Sequence, residues 1–262
     1  SHTAYVYEND FLFTLDTIRQ EYPSYGTTDF REPAYQIKQE NGSRITEFVY
    51  KNHEIYKGKK KLKSLPATYT EAEDDAVTVE ILLEDELLSV QMVLSYTIYE
   101  DYDAICRNVR FVNNGEQNLD LLRAMSMSVD LYDSDFEMIH LDGAWARERH
   151  KKKRKLVTGI QSISSARGAS SPDHNPFIAL KRPYATEEQG DAYGFCLIYS
   201  GNFLAQVEVD RYETARVSMG INPFEFTWHL EPKGEFQTPE AVMVYSPAGL
   251  NGMSQNFHEL FN

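Results

Sequence analysis

Forty carboxylates and seven histidines in 262 residues make chance pairings common, so only spacing can carry a chemical reading. Two carboxylates set across a sugar can hydrolyse a glycosidic bond. The acid runs at 71–75 and 84–86 sit among polar residues and read instead as solvated turns. The sequence holds no His-Glu-x-x-His, no glycine-rich phosphate loop and no Gly-x-Ser-x-Gly elbow. His140 and Asp142, two positions apart, share one strand face, but two ligands make a weak metal signal and ordinary strand polarity is the simpler reading. No metal and no cofactor is expected.

Two segments combine features that a plain loop seldom needs together. In Tyr25-Gly26-Thr27-Thr28-Asp29-Phe30-Arg31-Glu32-Pro33, glycine and proline fix the path. Asp29, Phe30 and Arg31 then offer a carboxylate, an aromatic face and a planar donor fork. That trio suits sugar recognition, in which hydroxyls take charged bidentate partners and the C–H face takes a ring. The segment from His140 to Arg149 carries Trp145, one of two tryptophans. Taken alone, each segment also reads as a core aromatic beside a salt-bridged turn. His174 and Asn175, in a Gly/Ser/Pro-rich loop, are weaker candidates. The stretch 147–155, Arg-Glu-Arg-His-Lys-Lys-Lys-Arg-Lys, has no interleaved aromatics and reads as a solvated hairpin rather than a nucleic-acid groove.

The elements that must position these residues are strands. Apolar residues alternate with period two at 35–39, 45–50, 76–83, 87–99, 105–112, 119–131, 177–180, 193–199, 203–209, 214–221, 224–230 and 241–245. Asn41-Gly42 between the first two suits a tight hairpin turn. So many strands with polar turns predict an all-β fold, a large antiparallel β super-sandwich, over residues 1–250. A short C-terminal helix is expected over 251–262. There Met253, Phe257, Leu260 and Phe261 share one face, with Asn251 or Ser254 as its cap. Its apolar stripe stops mid-element, as the start of a linker helix would.

Composition narrows the function classes. With 42% hydrophobic and 13% aromatic residues the chain is globular, and a formal charge of −14 argues against a nucleic-acid partner. No apolar run is long enough for a membrane span. Cys106 and Cys196, among apolar strand residues, read as buried free thiols, which with the lack of a signal peptide points to a cytoplasmic protein.

Five ordered blocks carry a family resemblance. They are 22–31 (Tyr-Pro-Ser-Tyr-Gly through Asp-Phe-Arg), 140–149, 167–171 with 175–180, Gly220-Ile221-Asn222-Pro223-Phe224, and 252–255 with Phe257-His258. Together they resemble the N-terminal part of bacterial glycoside hydrolase family 36 α-galactosidases. The resemblance implies a β super-sandwich followed by a (β/α)8 catalytic barrel absent from these residues. It also implies hydrolysis of terminal α-1,6-linked galactose from melibiose and raffinose, with retention, by a tetramer. The family nucleophile stands in a Lys-Trp-Asp context, which does not occur here, so no catalytic residue is assigned to this chain. The expected partners are α-galactosides, the barrel and further copies in a homo-oligomer. The matched motifs make Trp145 the first candidate for a sugar contact at the active-site rim, with Asp29, Phe30 and Arg31 next. Asp29 or Arg31 serve equally well to hold the loop through a salt bridge. A stand-alone carbohydrate-binding module is the alternative function. A mutarotase would need a converging His and Glu, to which no spacing points.

Overall fold

The structure, a computed structural model, describes residues 15–171 and 173–262. Sixteen strands among the described residues form two antiparallel sheets. The smaller has the order β1 (Tyr35–Gln39), β6 (Leu119–Leu131), β13 (Ala215–Ile221), β12 (Phe203–Val209) and β9 (Gly159–Ser164), with β14 (Trp228–Leu230) also on β6. The larger runs β2 (Val49–Lys57), β3 (Val77–Asp85), β4 (Val90–Tyr99), β5 (Ala104–Asn113), β16 (Glu240–Ser246), β11 (Ala192–Ile198), β10 (His174–Lys181), β7 (Glu137–Ala144) and β8 (Arg147–Lys155). Short β15 (Glu235–Gln237) pairs with β5. The all-β sandwich expected from alternation is the observed architecture.

Alternation also sorts the cores. Along β16, Ala241 joins Met127, Leu180, Phe195, Val207 and Val217 between the sheets, while Val242 and Val244 point to the opposite face. A second part of the inter-sheet core gathers Ile37, Met92, Val109, Phe111 and Leu121. On the outer face of the larger sheet, helix α1 (Gly249–Phe261) packs Leu250, Met253, Phe257 and Leu260 against Ile139, Ala179 and Val242. The helix comes close because Gly194 on β11 leaves it room. A Cβ there would stand 2.4 Å from Phe257 Cε2 and 2.8 Å from Met253 Sδ.

Several local expectations change. The Asn41-Gly42 turn forms, with Gly42 at φ 85°, but it does not close a hairpin. β1 pairs with β6, and the chain after the turn crosses to the other sheet, where β2 begins at Val49 and pairs with β3. Turn chemistry fixes a local reversal and leaves the choice of partner strand to burial. Of 224–230 only Trp228–Leu230 is strand, whereas β9, β15 and most of β2 carry too little alternation to be read. Asp85 is no solvated turn residue: it is buried and accepts hydrogen bonds from the backbone N–H of Glu47 and Leu88. Helix α1 starts two residues early, capped at Ala248 without a side-chain bond, so Asn251 and Ser254 lie within it. Phe261 is half exposed while the other three stripe residues are buried.

The basic stretch is β8 itself, an edge strand exposed along its length. Seven Lys and Arg side chains with one Glu guard that edge against pairing with another chain, which is a structural use for the charge.

Candidate functional site

The loop before β1 is anchored at both ends. Tyr22 donates its hydroxyl to the Met125 carbonyl at 2.6 Å and stacks on Tyr35 at 5.5 Å between ring centroids. The Ala34 N–H reaches the Pro23 carbonyl at 2.8 Å. Gly26 turns the chain at φ 83°, where a Cβ would meet Ile45 Cδ1 at 2.4 Å.

Between these anchors the chain buries two charges and exposes one ring. Arg31 Nε and Nη2 donate to Asp29 Oδ1 and Oδ2 at 2.9 and 3.0 Å, a bidentate fork. Arg216, the largest fully buried side chain, donates from Nη2 to Asp29 Oδ2 at 2.7 Å and from Nε to Asp130 Oδ1 at 2.6 Å. Arg31 Nη1 lies 3.4 Å from Asp130 and 3.6 Å from Asp210, and its Nη2 also donates to the Ile18 carbonyl at 2.7 Å. Two guanidiniums thus knit three carboxylates together. Burial opposes ionisation of Asp29, but hydrogen bonds from Arg31 and the charge of Arg216 outweigh it and hold its carboxyl below the usual range. Burial works against the Arg216 cation too, and Asp130 and Asp29 more than compensate.

Both oxygens of Asp29 and every nitrogen of the Arg31 guanidinium therefore already face partners. The salt-bridge reading of these two residues is the geometry observed. Phe30, held between them, points outward with 77% of its surface exposed.

Trp145 is presented differently. β7 and β8 form a hairpin in which Ala144 faces Arg147 across a two-residue turn, Trp145-Ala146. Ala146 has φ 62° and Arg149 φ 60°, left-handed values rare outside glycine, and the register slips between Asp142 and Ala144. The Ala146 N–H is held by Glu148 Oε1 at 3.1 Å. A bulge beside a strained turn re-aims a side chain, and the Trp145 ring stands 90% exposed at the tip. Trp228, the other tryptophan, packs on Phe236 at 5.1 Å. His174 faces Asp142 across the β10–β7 pair, and Asn175 is half-buried beside it.

Among the described residues no group of three His, Cys, Asp or Glu side chains could hold a metal ion. Arg216, Asp130 and Asp210 escaped the sequence reading. The available signal was a lone arginine inside the apolar run 215–221 and a lone aspartate near the end of 119–131. Asp210, in a polar turn, gave none.

This frame of two antiparallel sheets has a well-defined kinship. A sequence model of the glycosyl hydrolase family 36 N-terminal domain matches residues 1–231, and the chain belongs to that family. Alpha-galactosidase AgaA of Geobacillus stearothermophilus is 59% identical over 253 residues, which cover 97% of this chain and 35% of that protein. Alpha-galactosidase Mel36A of Lactobacillus acidophilus is 44% identical over the same share of each. Among solved structures, AgaA in complex with raffinose superposes with a TM-score of 0.93 at 60% identity, covering 95% of this chain and 34% of that one. AgaA with stachyose gives 0.94, also at 60% identity. The chain spans about a third of the length of the curated relatives it matches.

Proposed function

We propose that this chain is the shaping part of a cytoplasmic α-galactosidase that removes terminal α-1,6-linked galactose from raffinose-type sugars and melibiose with retention. In this reading bond cleavage belongs to a (β/α)8 barrel outside these 262 residues, and the sandwich helps to build the active-site rim and a homo-tetramer. The observation that carries it is identity of 59% to an alpha-galactosidase along 97% of the chain. Relatives crystallised with raffinose and stachyose support the substrate class.

At the rim, Trp145 and Phe30 supply exposed rings for the apolar face of a sugar, and Asp29 and Arg31 fix the loop that carries Phe30. The two rings also favour a second reading, a carbohydrate-binding module that works alone. Purified chain assayed on p-nitrophenyl α-galactoside should show no turnover, and appreciable turnover would overturn the division of labour. Calorimetry with galactose, melibiose and raffinose separates the two readings. A module binds free sugar, whereas a rim fragment gives no measurable heat.

A further inference from the structure

His140 and His174 meet where the hairpin that carries Trp145 lies against its neighbour strand. The β10–β7 ladder pairs Ile178 with His140 and His174 with Asp142, so four steps along β10 span two along β7 and the ladder is broken between them. Across that break the rings of His140 and His174 meet edge to face, with centroids 5.9 Å apart. Beyond it the hairpin is tied to the neighbouring chain by the Gly143 N–H on the Asp173 carbonyl, at 3.0 Å. Among the described residues, Nδ1 of each histidine is buried without a hydrogen-bond partner. His174 Nδ1 sits 3.5 Å from Asp142 Oδ1 but makes no hydrogen bond to it.

The charged groups around His140 are unbalanced. Asp142, on its own strand, is the anion that favours its proton. Arg154 and Lys152 approach from β8 and His174 from β10. Arg154 is held there by the Ser162 carbonyl of β9, at 3.2 Å, and brings no counter-charge. A neutral His140 ring fits this setting. An imidazolium there would be repelled by the neighbouring Arg154 and Lys152, and the Asp142 carboxylate that could offset it also faces His174.

We propose that the His140–His174 contact is a pH-sensitive latch, closed while the His140 ring is neutral, and that protonation of His140 releases the Trp145 end of the β7–β8 hairpin from β10. Burial, then Arg154, then His174 depress the affinity of His140 for its proton. A depressed folded-state value means the closed form keeps its advantage above the ordinary imidazole range. That advantage is lost as pH falls through the folded value, below about pH 6.5. The latch rests on the rim reading of Trp145 only for its consequence, since the hairpin motion can be followed without any sugar.

Hydrogen–deuterium exchange of the chain, corrected for intrinsic rates, tests it between pH 7.5 and 5. Protection of 141–155 should fall at least tenfold while β5 keeps its own. His140→Gln with His174→Gln should hold the hairpin protection level across that range. Should the double variant misfold, imidazole NMR of the unmodified chain decides, because the His140 ring should titrate in step with the loss of protection. Hairpin protection that stays flat, or that falls equally in a folded double variant, overturns the proposal. So does a His140 ring that titrates with no change in the hairpin. None of these outcomes touches the assignment to an α-galactosidase.

Discussion

Arg216 Nη2 reaches Asp29 Oδ2 at 2.7 Å, joining the interior of β13 to a loop 187 positions earlier. On the other side the same guanidinium grips Asp130, its register partner on β6. One arginine therefore fixes the loop that presents Phe30 to a rigid two-strand floor. Removing it deprives two buried carboxylates of their closest cation, leaving Arg31 and, for Asp130, the Gln20 N–H to compensate. Arg216→Met should cost about 3–5 kcal/mol of stability. Arg216→Lys, which keeps the charge but loses the fork, should cost roughly half of that. Urea unfolding checks both, and a Met variant as stable as the parent would mean that the network contributes little.

The same network sets an acid limit. Asp29 has its folded-state pKa depressed, so its contribution is complete above the unfolded value, about 3.9. It is lost as pH falls through the lower folded value. Asp29→Asn should therefore be destabilised relative to the parent at neutral pH, and the gap should close below about pH 4. Glu208 runs the other way: burial, against the help of the Glu32 N–H, raises its pKa. A raised carboxyl contributes most when protonated and opposes folding once ionised. Glu208→Gln should be neutral or stabilising at pH 7, with no gain below about pH 4. Parallel urea titrations at several pH values measure both signs.

Cys106 and Cys196 both pair with Val242, from opposite sides of β16. Two strand spacings separate their backbones, roughly 9–10 Å, beyond the ~7 Å limit for a disulfide. Burial pushes each thiol up to about 12. Cys196, expected to be buried, is only half-buried, whereas Cys106 is fully buried. Oxidants should form no intramolecular bridge in the folded chain, and a chromogenic disulfide reagent should label Cys196 first and Cys106 only as fast as the chain unfolds. Rapid labelling of Cys106 in native protein would show that this part of the sheet opens locally.

The sheets were legible because most strands bury one face, so alternation writes their span into the sequence: β1, β6 and β12 begin and end where it does. The edge strands of the larger sheet were not, since β2 and β8 expose both faces and need no alternation. The site divides along a similar line. Gly26, Asp29 and Arg31 announce a fixed loop, but the partners that hold it come from β6, β13 and the turn at Asp210, far away in sequence. No local pattern encodes a contact made only when strands 86 and 187 positions apart are brought together. Direction was hidden as well. Asp29, Phe30 and Arg31 all offered sugar-binding chemistry, the two charged ones equally a salt bridge, and packing turned those two inward.

That inversion yields the sharpest separation between scaffold and contact. Phe30 and Trp145 pack against little, so Phe30→Ala and Trp145→Ala should shift the stability of the chain by no more than about 0.5 kcal/mol. Asp29→Asn and Arg216→Met, by contrast, should act through folding. In an α-galactosidase that carries this domain, loss of an exposed ring that stacks on a sugar should cost about 0.5–1.5 kcal/mol of binding, seen as a roughly two- to twelve-fold fall in kcat/KM for raffinose. The small substrate p-nitrophenyl α-galactoside, which reaches less of the rim, should be affected less. If instead both ring variants match the parent on raffinose, while the Asp29 and Arg216 variants lose activity in proportion to their unfolded fraction, the loop and the hairpin are structural and the sugar is gripped elsewhere.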